Sequence, residues 1–146
     1  MQLNVMEIQK VIPHRFPFLM IDRVIELIPN EKLVAIKNVT VNEHQFVGHF
    51  PNEKVMPGVL MIEAMAQAGC VYFHYSKNPE QKELIYYLAK TEAKFHSVVV
   101  PGDQLRIEIT PVKLIARAGF IQAKAYVGDK LAVEAQIGFG IKEVSK

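Results

Sequence analysis

Apolar and polar positions change rhythm along the 146-residue chain, and each change marks an element. Val5, Ile8, Val11 and Ile12 recur at three- and four-residue steps, the spacing of a short amphipathic helix. Pro13 and Pro17 then frame a turn, and FLMIDRVIELI and KLVAIKNVTV read as two strands either side of Pro29-Asn30. From Pro57 to Ser76 apolar residues cover every side of a helical wheel, which predicts a helix buried all round. After a polar loop from Lys77 to Lys82 the pattern is that of strands, starting with ELIYYLAKTEAKF and broken at Pro101-Gly102-Asp103. Leu105, Ile107 and Ile109 alternate with polar residues, and beyond Pro111 the apolar parity switches to Val112 and Leu114, as a bulge or edge break would produce. The last strand alternates from Leu131 through Val133, Ala135, Ile137 and Phe139 to Ile141, and Gly128-Asp129 joins it to its predecessor as a hairpin.

Hairpin-linked strands with one long apolar helix imply an antiparallel sheet curled around that helix, an α+β arrangement in a single domain spanning residues 1–146. One sheet covers only one side of such a helix. Its far flank is therefore expected to meet the N-terminal helix or a second copy of the chain, in a symmetric dimer.

Two polar residues interrupt the apolar helix, Glu63 and, one turn later on the same face, Gln67. A carboxylate buried there would shift its pKa upward and become a proton donor near neutral pH. At the start of the helix Met56 has no side-chain oxygen to cap the first amides, Pro57 suits a first helical position, and Gly58 leaves the backbone open to approach. The amides of Gly58 and Val59 are thus candidates to hold a substrate carbonyl oxygen. Glu63 stands five residues further on, about 7.5 Å along the axis, which leaves room for a short polar head between them. His49, just upstream, completes a potential acid/base pair.

Composition narrows the alternatives. Half of the residues are apolar and 22% are charged, which suits one domain with a sizeable core. The single cysteine, Cys70, cannot close an internal disulfide and reads as core, and no charged-plus-apolar leader precedes the first turn, so a cytoplasmic location is expected. Pro57, Gly58, Glu63, Gln67, Gly69 and His74 argue against a membrane span over residues 56–75. A formal charge of +2 without a basic tail argues against a nucleic-acid partner.

Four segments resemble one family: PHRFPFLMIDRV at 13–24, NVTVNEHQFVGHFP at 38–51, MPGVLMIEAMAQ at 56–67 and KFHSVVVPGDQL at 94–105. In that order, over nearly the whole chain, they are similar to FabZ-type (3R)-hydroxyacyl-[acyl-carrier-protein] dehydratases of type II fatty acid synthesis. Lys54 departs from the proline usual before the MPG turn, which alters loop stiffness and touches neither proposed catalytic group. FabA-type relatives, which also isomerise the double bond, carry aspartate at the position of Glu63 and cysteine at that of Val59, so this chain sides with plain dehydration.

The resemblance implies a hotdog fold and homodimers gathered as a trimer of dimers. It also implies a site with His49 from one subunit and Glu63 from the other, the Gly58 amide donating to the thioester carbonyl. Val55 would supply a carbonyl that fixes the His49 tautomer, and Gln67 would orient Glu63. The implied reaction takes (3R)-hydroxyacyl-[acyl-carrier-protein] of short to long chain to the trans-2-enoyl product and water, extending to hydroxymyristoyl thioesters linked to lipid A supply. Neither metal nor cofactor is required.

Other readings of the same residues carry less. His14, His44, His74 and His96 read as surface or satisfied core positions, and a metal site at His44, His49 and Glu63 lacks any helix face that would gather them. Lys113, Arg117 and Lys124 form a stretch without acids between Glu108 and Asp129, a candidate docking stripe for the acidic carrier protein. A hotdog thioesterase would instead release free thiol, and in an acyl-binding module without activity the polar pair would be dispensable.

Overall fold

Asn4 starts the first helix, α1 (Val5–Val11), through a reciprocal cap: its side chain accepts from the Glu7 amide at 3.0 Å, and the Glu7 carboxylate accepts from the Asn4 amide at 2.8 Å. The chain is known here from a computed structural model, which describes residues 1–144. Six strands follow, β1 (Arg23–Ile28), β2 (Lys32–Asn38), β3 (Leu84–Phe95), β4 (Gln104–Ile115), β5 (Ala118–Val127) and β6 (Lys130–Glu143), with the long helix α2 (Gly58–Lys77) between β2 and β3. They form one antiparallel sheet in the order β1-β2-β4-β5-β6-β3, so β1 and β3 are its edges. The sheet wraps α2, and the core fills the space between them with Leu33 and Ala35 of β2, Leu105, Ile107 and Ile109 of β4, and Met65, Ala68, Val71 and Phe73 of the helix.

The parity switch after Pro111 is a bulge: the β4–β5 register slips between Pro111 and Lys113. Gly128, at φ 59°, supplies the left-handed residue in the turn that pairs Val127 with Lys130. Three boundaries differ from the periodicity, two because of hydrogen bonds and one because of backbone conformation. FLMIDRVIELI becomes a strand only from Arg23, because the backbone of Phe18 and Met20 is bonded to the Gln67 side chain and so cannot join a ladder. β2 stops at Asn38 because Val39 turns to bond the Gly102 and Asp103 backbone. The helix begins at Gly58, with Pro57 at the capping position in place of Met56, since Pro57 itself is extended at ψ 132°.

Burial of α2 is also uneven. From Ala64 to Phe73 every residue is buried, but the first turn is not, and Val59 is 73% exposed. Helix α1 packs on α2, and the edge strand β3 leaves Tyr87, Leu88 and Phe95 exposed. In a single chain, an apolar helix start and the unpaired β3 edge, with its exposed Tyr87, Leu88 and Phe95, therefore both face outward.

Candidate active site

His49 sits in the irregular stretch between β2 and α2, just past a 3-10 turn at His44–Val47 whose Phe46 is buried. Its own amide donates to the Gln45 carbonyl, and its carbonyl accepts from the Val55 amide, both at 3.1 Å. The ring is fixed twice more. Nδ1 lies 2.7 Å from the Val55 carbonyl oxygen, and the Phe50 ring stacks on the imidazole at 4.0 Å between centroids. A carbonyl can only accept, so Nδ1 carries the hydrogen, and in the neutral ring Nε2 is left with a free lone pair.

Glu63 projects from the second turn of α2 and is partly buried. Burial raises its carboxyl above the ordinary value of 4.5, partly opposed by a hydrogen bond from Gln67. Gln67 is fully buried, and every polar capacity of its amide group that matters is committed. Its oxygen accepts from the Met20 amide at 2.8 Å, and its nitrogen donates to the Phe18 carbonyl at 2.7 Å and to Glu63 Oε2 at 2.9 Å. The two backbone groups admit only one orientation of the amide, so Gln67 must present a donor to Glu63. Oε2 is thus an acceptor, and a proton held by the carboxyl resides on Oε1.

At the helix start the Pro57 carbonyl takes the amides of Leu60 and Met61. Among the described residues, the Gly58 and Val59 amides have no acceptor, and no acidic side chain offsets the positive end of the helix in its first turn. Phe95, at the end of β3, covers this point: a Cβ on residue 58 would lie 2.8 Å from its ring. The glycine therefore lets an aromatic wall from the edge strand seat directly on the donor end of the helix. Periodicity could not single out Phe95, although it falls within the KFHSVVVPGDQL segment.

The three candidate docking cations do not form one patch. Lys124 stands in register between Glu108 on β4 and Glu134 on β6, acids that lie outside the stretch in sequence and beside it in the sheet. Lys113 pairs with Phe120, and Arg117, in the β4–β5 turn, lines a cavity of about 560 Å³ with Lys77, Glu80, Lys142 and Glu143 at the far end of α2. The charges are diluted because sheet neighbours come from distant segments. Among the described residues no three His, Cys, Asp or Glu side chains gather as a metal-ligand set, and no helix is long and apolar enough to cross a membrane. His74 meets Asn78, and His96 lies 3.7 Å from Glu134.

Comparison with known proteins places this geometry in context. Residues 12–136 match the FabA-like domain family. The chain is 46% identical to the 3-hydroxyacyl-[acyl-carrier-protein] dehydratase FabZ of Geotalea uraniireducens, covering 99% of this chain and 100% of that protein. It is 49% identical to the enzyme of the same name from Koribacter versatilis, covering 92% and 86%. Among solved structures, the dehydratase heterocomplex ApeI:P from Xenorhabdus doucetiae superposes with a TM-score of 0.79 at 16% identity, covering 95% of this chain and 91% of that one. A hypothetical thioesterase with coenzyme A from Streptococcus pneumoniae gives 0.61 at 10%, covering 84% and 87%. At such identities these two structures speak for the fold alone, which is the hotdog arrangement.

Proposed function

From a chain that belongs to the FabA-like family and, within it, to the FabZ-type dehydratases, we propose how its residues divide the chemistry of the site. The protein is a hydro-lyase of fatty acid biosynthesis that dehydrates 3-hydroxyacyl-[acyl-carrier-protein]. Elimination requires a base for the C2 proton, an acid for the departing 3-hydroxyl and a donor for the thioester oxygen as charge develops on it. His49 Nε2 is the base, Glu63 Oε1 delivers the proton that turns the hydroxyl into water, and the Gly58 amide, with that of Val59, receives the carbonyl. The substrate loses one proton to the imidazole and gains one from the carboxyl. The enzyme is reset when the imidazolium proton returns to Glu63 through solvent.

The observation that carries this reading is the complementary fixing of the two groups: Nδ1 held by Val55 leaves Nε2 bare, and Oε2 held by Gln67 leaves Oε1 to carry the proton. Burial raises the Glu63 pKa, which suits an acid, and the bare Nε2 lone pair of His49 suits a base. His49 and Glu63 act across a homodimer interface. The exposed apolar residues Val47, Phe50, Val59 and Phe95 around the two groups, and the open β3 edge, support that pairing. Trimers of such dimers, (3R) substrates of short to long chain with trans-2-enoyl products, a supply role toward lipid A and a cytoplasmic location complete the proposal.

The test incubates the protein with a 3-hydroxyacyl or 2-enoyl carrier-protein thioester and follows enoyl absorbance together with thiol release. Reversible dehydration without thiol release is expected. Stoichiometric thiol release would favour the thioesterase reading, and a full rate with His49→Ala or Glu63→Gln would reject the roles assigned above.

A further inference from the structure

The sequence between β2 and α2 has almost no regular structure, yet it must hold His49 to within a fraction of an ångström of its working position. Hydrogen bonds at the histidine itself fix the ring relative to residues 45 and 55, which belong to the same loop. Something must fix the loop relative to the sheet. Lys37, the penultimate residue of β2, is the one charged side chain among the buried residues of the chain that the structure describes, with a side chain only 6% exposed. Its ammonium group pairs with the carboxylate of Glu43 and also donates to the Asn38 carbonyl at 2.9 Å. The second carboxylate oxygen of Glu43 accepts from the Thr40 amide at 2.9 Å, and the Glu43 carbonyl accepts from Phe46. Glu43 is the residue from which the 3-10 turn His44–Val47 departs, and the amide of His49 bonds back into that turn at Gln45.

We infer that the Lys37–Glu43 pair is a positioning device for the catalytic histidine: it ties the capping residue of the 3-10 turn to the end of β2 and so sets where His49 is presented. The inference rests on His49 being the base. Neither residue touches the reacting atoms. A largely desolvated pair is a weak source of net stability, because the cost of desolvation offsets most of the attraction, so stability alone does not account for its presence here. Orientation does. The carboxylate uses one oxygen toward the sheet and the other toward the loop backbone, and an apolar pair would fill the same space without specifying either direction.

Lys37→Met alone leaves the partly buried Glu43 carboxylate without its cation and is expected to lower stability, so the double variant Lys37→Met/Glu43→Gln carries the test. It is compared with the wild type and with Lys37→Arg, using circular dichroism and dimer content to establish the fold and steady-state dehydration to separate kcat from KM. The folded double variant should lose roughly 10- to 100-fold in kcat with KM changed by no more than about twofold, because the base is displaced while binding surfaces are intact. Lys37→Arg, which keeps the charge and two donors, should recover most of that loss. A folded double variant with wild-type kcat overturns the inference, as does a loss equal in kcat and 1/KM. Failure of the double variant to fold also overturns it, since the pair would then hold the chain and not one loop. If instead His49→Ala is fully active, the reading of His49 fails, and the two failures remain distinct.

Discussion

His49 and Glu63 reach the site on supports of opposite kind. Glu63 rides on a helix whose following turns are buried without a break, so hydrophobic packing of ten consecutive residues fixes its position. His49 hangs on an irregular loop, held by a few directed bonds to Gln45, Val55 and, further back, Lys37. The difference teaches that one fold can place two polar groups by different means: the helix withdraws Glu63 from water and raises its pKa, whereas the loop fixes the orientation of the His49 imidazole.

The sharpest way to probe that contrast is to remove each group in turn. His49→Ala and Glu63→Gln should each lower kcat by about 10²- to 10⁴-fold, and enoyl formation under saturating substrate measures it. Next comes the shared anchor of the helix. Gln67→Leu leaves the Phe18 carbonyl and the Met20 amide without partners and frees Glu63 to rotate. A loss of roughly 2–4 kcal/mol in urea unfolding is expected, with a fall in kcat among the folded molecules. Gly58→Ala should be milder, about tenfold or less in kcat/KM. Its methyl group must displace the Phe95 ring from the helix start, and that ring is half exposed and can move.

The smallest effect concerns stability against pH. A carboxyl whose folded pKa is raised contributes stability below its unfolded value and loses it as pH rises through the folded value. The wild type should therefore weaken slightly as Glu63 ionises, and Glu63→Gln should not. Melting temperatures should favour Glu63→Gln by a small margin above neutrality, and the margin should close as pH falls toward the ordinary glutamate value of 4.5.

Wherever one period runs through many residues, the architecture is readable in the sequence. The α2 run from Ala64 to Phe73, the alternation of Leu105, Ile107 and Ile109, and even the bulge after Pro111 follow from side-chain rhythm because packing repeats with the backbone. The strand limits at Arg23 and Asn38 were not readable, because bonds from Gln67 and from the Gly102-Asp103 turn decide them. At the site, Glu63 and Gln67 announce themselves as polar residues in an apolar helix, but the role of Phe95 over Gly58 depends on a contact between residues far apart in sequence. The surroundings of Lys124 were hidden for the same reason: its acidic neighbours Glu108 and Glu134 arrive from other strands.

Complementation between two inactive variants tests most directly whether the loop of one protomer and the helix of another build one site. His49→Ala and Glu63→Gln proteins are mixed, unfolded and refolded together, and assayed for dehydration. If the pair is shared across the interface, random mixing makes about half of the dimers mixed, each with one intact site of two, and activity returns to roughly a quarter of the wild-type level. A mixture that stays as inactive as its components, with mixed dimers present, would contradict the account.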